Sequence, residues 1–322
     1  MEWIISHGDT DGICSAGIAL SAFKNAKLFF SHPIGLPEDL KNVDGDVIIC
    51  DIALARDVYQ ETLKELRRLK DDGREVIYID HHPLPEGHDP SNFPADMVHS
   101  VNSCASEQTY KKLEDKVSPD MSRLAIIGAI GDYLDKTHEI EKLLIRWEKR
   151  NLYFEAGILI QAIESTGRNY QDKREIAYFI SNDKTPSSDE GLVRKAIAAS
   201  IVEEDMRKRI KEEVVLRGNV AYVIDLGWSL GKSAVYSKGL AGVLVGIGAE
   251  HRKDYVEMSL RTHSDAIDLN FLLKRITTKM GGMGGGHPKA AGARIPREKF
   301  FQFIAELNEA IIEKIREHNE EY

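Results

Sequence analysis

The apolar run Val76-Ile77-Tyr78-Ile79 ends abruptly in Asp80-His81-His82. A buried strand closing on a carboxylate and two imidazoles restricts the chain to folds whose strand ends converge on a ligand, because such groups are costly to bury unpaired. The same transition recurs. Trp3-Ile4-Ile5-Ser6 runs into His7-Gly8-Asp9-Thr10-Asp11-Gly12, Val47-Ile48-Ile49-Cys50 into Asp51, and Ala125-Ile126-Ile127-Gly128-Ala129-Ile130-Gly131 into Asp132. Read as strand ends, these four junctions locate an active site.

Helix-like segments at 14–24, 55–70 and 106–113 separate the early apolar runs, which predicts βαβ units and a largely parallel sheet. In such a sheet the ligand site lies beyond the carboxyl ends of the strands, where the acidic junctions fall. The pattern turns helical over 122–179, breaks in the polar stretch 181–191, and resumes as a charged connecting helix over 192–216. Strand-like runs follow at 220–224, 241–247 and 255–260, with an amphipathic helix at 297–317. The expected fold is therefore α/β. A mostly parallel-sheet domain with a helical segment spans 1–186, a connecting helix spans 187–215, and a smaller α/β domain spans 216–322 across a cleft.

A chain of 322 residues with 42% hydrophobic content has enough apolar surface for two cores. Cys14, Cys50 and Cys104 form no CxxC pair, which argues against a disulfide scaffold or a zinc ribbon. No stretch has the length of a membrane span and Met1 leads straight into a strand-like run, so the expected location is cytoplasmic. The formal charge of -9 argues against a generally sticky nucleic-acid binder, but leaves room for a local basic groove.

His7, Asp9 and Asp11 alternate along one short segment, and in extended geometry they face the same side. Mixed carboxylate and imidazole donors suit Mn²⁺ or another first-row divalent ion better than Ca²⁺. Asp51 and Asp132 add a carboxylate each. The set exceeds what one ion needs and fits two metals about 3.5–4 Å apart. Singly, an Asp after a strand reads as a helix N-cap and a His as a satisfied imidazole, but the set as a whole outweighs that reading.

Further along, Gly281-Gly282-Met283-Gly284-Gly285-Gly286-His287-Pro288-Lys289-Ala290-Ala291-Gly292 has the glycine density to aim backbone N–H groups at an anion, with a small-residue helix start behind it. Lys274, Arg275, Lys279, Lys289, Arg294 and Arg297 surround it in sequence and are candidates for a basic groove. Gly227-Trp228-Ser229-Leu230-Gly231-Lys232-Ser233 ends like a phosphate-binding loop, but has three residues between its glycines where four are required. Asn102-Ser103-Cys104-Ala105-Ser106 reads as a helix start capped by its own Ser or Asn.

His7-Gly8-Asp9-Thr10-Asp11-Gly12, Asp51, Asp80-His81-His82 and Gly131-Asp132 match, in order, the motifs of the DHH phosphoesterase superfamily, and the glycine-rich segment resembles that of the DHH-associated domain. The resemblance implies that His7, Asp9 and Asp51 hold one Mn²⁺ and that Asp11, Asp51, His81 and Asp132 hold the other, with Mg²⁺ or Co²⁺ as substitutes. It assigns His82 to the scissile phosphate or leaving oxygen, with Asp80 supporting the histidines or touching a metal itself. Arg261, Thr262, Gly284, Gly285, Gly286 and His287 would bind the terminal phosphate or nucleotide. The implied activity is hydrolysis of single-stranded DNA, RNA or short oligonucleotides to nucleoside monophosphates, 3′-to-5′, as in nanoRNase-like and small archaeal RecJ-like exonucleases. Hydrolysis of a small phosphate compound such as a cyclic dinucleotide, and a catalytically silent replication scaffold, are the alternatives. Repair or replication proteins are the expected partners, and the unassigned segment 136–181 is the candidate surface for self-association.

Overall fold

A computed structural model of the protein describes residues 1–88 and 90–320. The chain divides into two compact units, Met1–Ser200 and Ile201–Tyr322.

In the first unit β1 (Trp3–His7) is followed by α1 (Thr10–Ala22), β2 (Lys27–Ser31), α2 (Leu36–Leu40), β3 (Val47–Cys50), α3 (Tyr59–Asp71), β4 (Val76–Asp80) and β5 (Asp96–His99). Helices α4 (Ala105–Leu113), α5 (Ser122–Gly131), α6 (His138–Leu144), α7 (Lys149–Thr166) and α8 (Tyr170–Ser181) complete it, and α9 (Glu190–Glu213) leads out. The sheet is parallel throughout, in the order β2-β1-β3-β4-β5. The order reverses between β1 and β3, and the crevice at such a switch point is where open α/β sheets bind ligands.

Strand alternation sorts the apolar residues onto two faces. Ile4, Ile48, Cys50, Ile77 and Ile79 share a core with Ile13, Leu124 and Ile127 of α1 and α5. Ile5, Val47, Ile49 and Tyr78 share the other with Leu63, Leu66 and Leu69 of α3. Both faces are covered, so the strands read as continuous apolar runs.

One predicted junction is of a different kind. Residues 125–131 lie in α5, so Asp132 is delivered by the end of a helix rather than a strand. A helix apolar on every side is a buried helix, and over so short a run its pattern matches that of a buried strand.

The second unit holds β6 (Val215–Arg217), β7 (Val220–Ile224), α10 (Leu230–Ala241), β8 (Val245–His251), β9 (Tyr255–Thr262), α11 (Leu269–Lys279), β10 (Met283–Gly286), β11 (Ala290–Pro296) and α12 (Phe300–Glu320). Its sheet runs β10-β11-β9-β8-β7-β6, parallel only between β7 and β8. The strand expected at 241–247 starts later. Gly242, with φ of 66°, caps α10 in the left-handed conformation, and β8 opens at Val245.

The glycine-rich segment is a β-hairpin, with no helix behind it. Gly284 and Gly285 pair with Ala293 and Gly292 of β11. A Cβ at Gly284 would lie 3.0 Å from Thr277 and 3.1 Å from Leu273 of α11, so the glycines let a helix lie close against this edge strand. Among the described residues no helix is long and apolar enough to cross a membrane.

Candidate metal centre

The ends of β1, β3 and β4 place His7, Asp51 and Asp80 in neighbouring positions, because these strands are adjacent and in register. Asp51 adopts φ of 60°, a left-handed conformation that carries strain in a non-glycine residue. Its amide donates to the Ile79 carbonyl at 2.8 Å, which fixes the turn off β3 against β4.

Asp9 is the N-cap of α1 and accepts from the Gly12 amide at 3.0 Å. Its other oxygen lies 2.8 Å from His7 Nδ1. The N-cap uses one oxygen and leaves the other facing His7. The charge of Asp9 raises the His7 imidazole above its ordinary value.

Asp11, fully buried, takes an unexpected position. Its two oxygens accept from the Ala105 amide at 2.6 Å and the Ser106 amide at 2.9 Å, so it caps α4 from another element. Neither Asn102 nor Ser103 caps that helix, contrary to the sequence reading, because a full carboxylate at the positive end of the helix is the stronger partner. Gly128 makes this possible: a Cβ there would lie 2.0 Å from Ser106 Oγ and 2.7 Å from Asp11 Oδ1. Burial, reinforced by the charge of Asp132, pushes the Asp11 carboxyl up to about 6.

His81, 1% exposed, sits among three carboxylates. Its Nε2 lies 3.2 Å from Asp51 Oδ1, 3.2 Å from Asp132 Oδ2 and 3.8 Å from Asp11 Oδ2. Burial alone would lower its pKa, but the hydrogen bond and charge of Asp132 with the charge of Asp11 raise it to about 9. Asp51 is pushed well above the carboxylate range by burial and then by the charges of Asp9, Asp11 and Asp132.

His82 lies beside His81, with ring centroids 4.6 Å apart, and donor atoms of Asp51, Asp80 and His82 fall within 4.8 Å of one another. The Nδ1 of His82 lies 2.8 Å from Asp80 Oδ1, and its carbonyl lies 2.7 Å from His99 Nε2. Gln108 donates to the carbonyls of Ser100 and Ser103 at 3.0 and 2.9 Å, tying down the segment that follows β5. His99, Gln108 and Ser106 carry no motif signal. They are single polar residues whose role comes from tertiary position.

These donors suit a divalent cation. Single donor atoms of His7, Asp9 and Asp51 lie within 4.8 Å of one another, as do those of Asp11, Asp51 and His81. Among the described residues, neither buried Asp51 oxygen accepts a hydrogen bond. A buried carboxylate left so is costly unless a cation meets it. The donors are all oxygen and nitrogen, the chemistry of Mn²⁺ or Mg²⁺ sites rather than thiolate-bound zinc.

Arg261 on β9 donates from Nη1 to Ser259 Oγ at 2.8 Å and to the Leu260 carbonyl at 2.9 Å. Thr262 is buried, its hydroxyl donating to the Leu244 carbonyl and accepting from the Ser264 amide. Its contacts are those of a supporting residue. The Gly286 amide donates to Asn270 Oδ1 at 3.2 Å, and His287 occupies the hairpin turn, its amide donating to the Ala290 carbonyl. Of the six candidates for a basic groove, Arg275, Lys289 and Arg294 pair with Glu313, Asp265 and Glu257. Much of the expected positive charge is thereby neutralised locally.

Two family models match the chain in tandem. The DHH family N-terminal domain covers residues 3–131 and the DHHA1 domain covers residues 220–313. No curated protein sequence matches significantly. Among solved structures, RecJ in complex with Mn²⁺ from Thermus thermophilus aligns with a TM-score of 0.64 at 16% identity over 96% of this chain. This chain spans only 51% of that RecJ. The pGpG-specific phosphodiesterase PggH from Vibrio cholerae aligns with a TM-score of 0.63 at 13% identity, over 98% of this chain and 100% of its own. A DHH-domain protein described as belonging to a family of ribosomal proteins aligns with a TM-score of 0.62 at 18% identity, over 96% of this chain and 86% of its own. With both family models in order and the motif residues gathered at the switch point of the sheet, the chain belongs to the DHH phosphoesterase superfamily of metal-dependent hydrolases.

Proposed function

We propose that the protein is a Mn²⁺-dependent phosphodiesterase that removes nucleoside monophosphates from the end of short single-stranded oligonucleotides, in the 3′-to-5′ direction. The observation that carries this reading is Asp51, a buried carboxylate common to three donor clusters, with His7 and Asp9, with Asp11 and His81, and with Asp80 and His82. His7, Asp9 and Asp51 would hold one cation, and Asp11, Asp51, His81 and Asp132 the other. Bound there, a divalent pair supplies a lowered water pKa and a clamp on phosphate oxygens.

The protein's own residues do the rest. Asp80 keeps the Nδ1 proton of His82, which fixes the tautomer and leaves Nε2 to exchange a proton with the leaving oxygen. Asp11 ties one ligand position to the start of α4, so the carboxylates are held in place before a cation arrives. In the second unit Arg261, Gly284, Gly285, Gly286 and His287 receive the terminal phosphate or nucleotide, with Thr262 bracing the strand end. We assign 1–186 to catalysis, 187–215 to the connection and 216–322 to substrate binding.

The short-substrate reading takes its lead from the pGpG-specific phosphodiesterase, whose fold this chain shares over 98% of its length. End-labelled DNA and RNA of graded length, with either end blocked, test this reading. Release of mononucleotides from an open 3′ end in Mn²⁺ supports it. Cleavage of cyclic dinucleotides alone would move the assignment to a small-molecule phosphoesterase, and strand binding without hydrolysis in any metal would make it a scaffold.

A further inference from the structure

Helix α8 lies in the segment that no motif explains, and it reaches the metal centre. Lys173 on α8, 9% exposed, donates from Nζ to the Gly8 carbonyl. Gly8 stands between His7 and Asp9, has no side chain of its own to anchor it, and is packed beneath α8. A Cβ there would lie 3.1 Å from Tyr170 Cε1 and 3.4 Å from Lys173 Nζ. Burying an ammonium is costly unless it is hydrogen-bonded and near opposite charge. The Gly8 carbonyl supplies the first and Asp9 the second.

We propose that Lys173 is a positioning residue for the metal centre: its ammonium fixes the Gly8 peptide and so holds His7 and Asp9 in place to take a cation together with Asp51. The inference rests on the metal-centre reading above. Lys173 acts through the backbone, its ammonium meeting the Gly8 carbonyl. Its two influences on metal affinity have opposite signs. As a clamp it strengthens binding, and as a like charge beside the cation it weakens it. Removing it therefore tells the two apart.

Mn²⁺ is titrated into the metal-free full-length protein, and free ion is followed by electron paramagnetic resonance. Wild type is compared with Lys173→Met, Lys173→Arg, and Lys195→Met, which removes a half-exposed lysine of α9 paired with Asp172. Supporting residues around metal ligands typically contribute about 10–100-fold in affinity, and a loss in that range is expected for Lys173→Met. Lys173→Arg recovers part of it and Lys195→Met changes nothing. Should Lys173→Met fail to fold, Lys173→Ala, which likewise lacks a donor, is read in the same way, with weakened binding as support and wild-type affinity as refutation. Unchanged or tighter binding in Lys173→Met, with wild type binding normally, overturns the positioning role alone. No Mn²⁺ uptake by wild type overturns the metal-centre reading with it.

Discussion

Asp51 Oδ1 lies 3.2 Å from His81 Nε2, and both side chains are 1% exposed. The pair forms the centre of a buried cluster in which Asp11 and Asp132 approach the same imidazole nitrogen. Without a cation, the carboxylates repel one another and His81 is the partner that relieves them. On the metal-centre reading, bound cations would relieve the repulsion instead, with His81 as one of their donors.

Two substitutions that remove a carboxylate should therefore differ in stability. Asp51→Asn removes a charge that burial and three neighbouring aspartates disfavour, so in chelator the Tm should rise by a few degrees, on the order of 1 kcal/mol. Asp11→Ala leaves the Ala105 and Ser106 amides without their acceptor, and should cost about 1–3 kcal/mol. Both should lose Mn²⁺-dependent activity by about 100-fold or more. Thermal unfolding in chelator beside an activity assay checks the contrast.

The pH dependence follows from the same groups. The folded-state pKa of Asp11 is raised to about 6 and that of His81 to about 9. A carboxyl raised on folding favours the folded state while protonated, so metal-free stability should fall as pH rises from about 4 through 6. His81 contributes stability that is full below about 6.5 and is lost as pH rises through about 9. A cation needs Asp11 ionised and His81 neutral. The rise in Tm on adding Mn²⁺ should accordingly be larger at pH 8.5 than at pH 6. Melting curves with Mn²⁺ and with chelator across that range measure it.

His82 is oriented by Asp80, and the two share a possible donor cluster with Asp51. His82→Ala should lower kcat by about 10²–10⁴-fold while leaving Mn²⁺ affinity within a few-fold of wild type. Asp80→Asn should follow it in direction with a smaller loss of rate. Single-turnover rates together with Mn²⁺ titrations separate this from loss of metal.

Gly128 is the contact that lets α5 approach Asp11. Gly128→Ala places a methyl 2.0 Å from Ser106 Oγ and should cost about 1–3 kcal/mol by overpacking. Combining it with Ser106→Ala removes the nearer obstacle and should recover part of the loss. A double-mutant cycle in denaturant reads the coupling.

Much of this centre is legible in the sequence because apolar strands and polar ends alternate sharply. Val47-Ile48-Ile49-Cys50 before Asp51 and Val76-Ile77-Tyr78-Ile79 before Asp80 are buried strands, and a parallel sheet with both faces covered puts their ends side by side. For Asp132 the sequence carries two readings, a strand end and the start of the helical pattern over 122–179, and the structure bears out the helix; a buried helix and a buried strand look alike over so short an apolar run. The capping of α4 by Asp11 is beyond its reach, because 94 residues separate donor from acceptor. The anchoring of Gly8 by Lys173 is hidden for the same reason, with a separation of 165. The glycine-rich segment stands out in the sequence, yet its composition suggests the wrong local structure. Glycines that admit a packed helix and glycines that cradle an anion leave the same trace in a sequence.

The most direct measurement is anomalous X-ray diffraction at the manganese edge from crystals of the full-length protein soaked in Mn²⁺. Two peaks are expected on either side of Asp51, about 3.5–4 Å apart, one beside His7 and Asp9 and the other beside His81 and Asp132. A single peak, or two peaks that do not share Asp51, would contradict the two-metal centre.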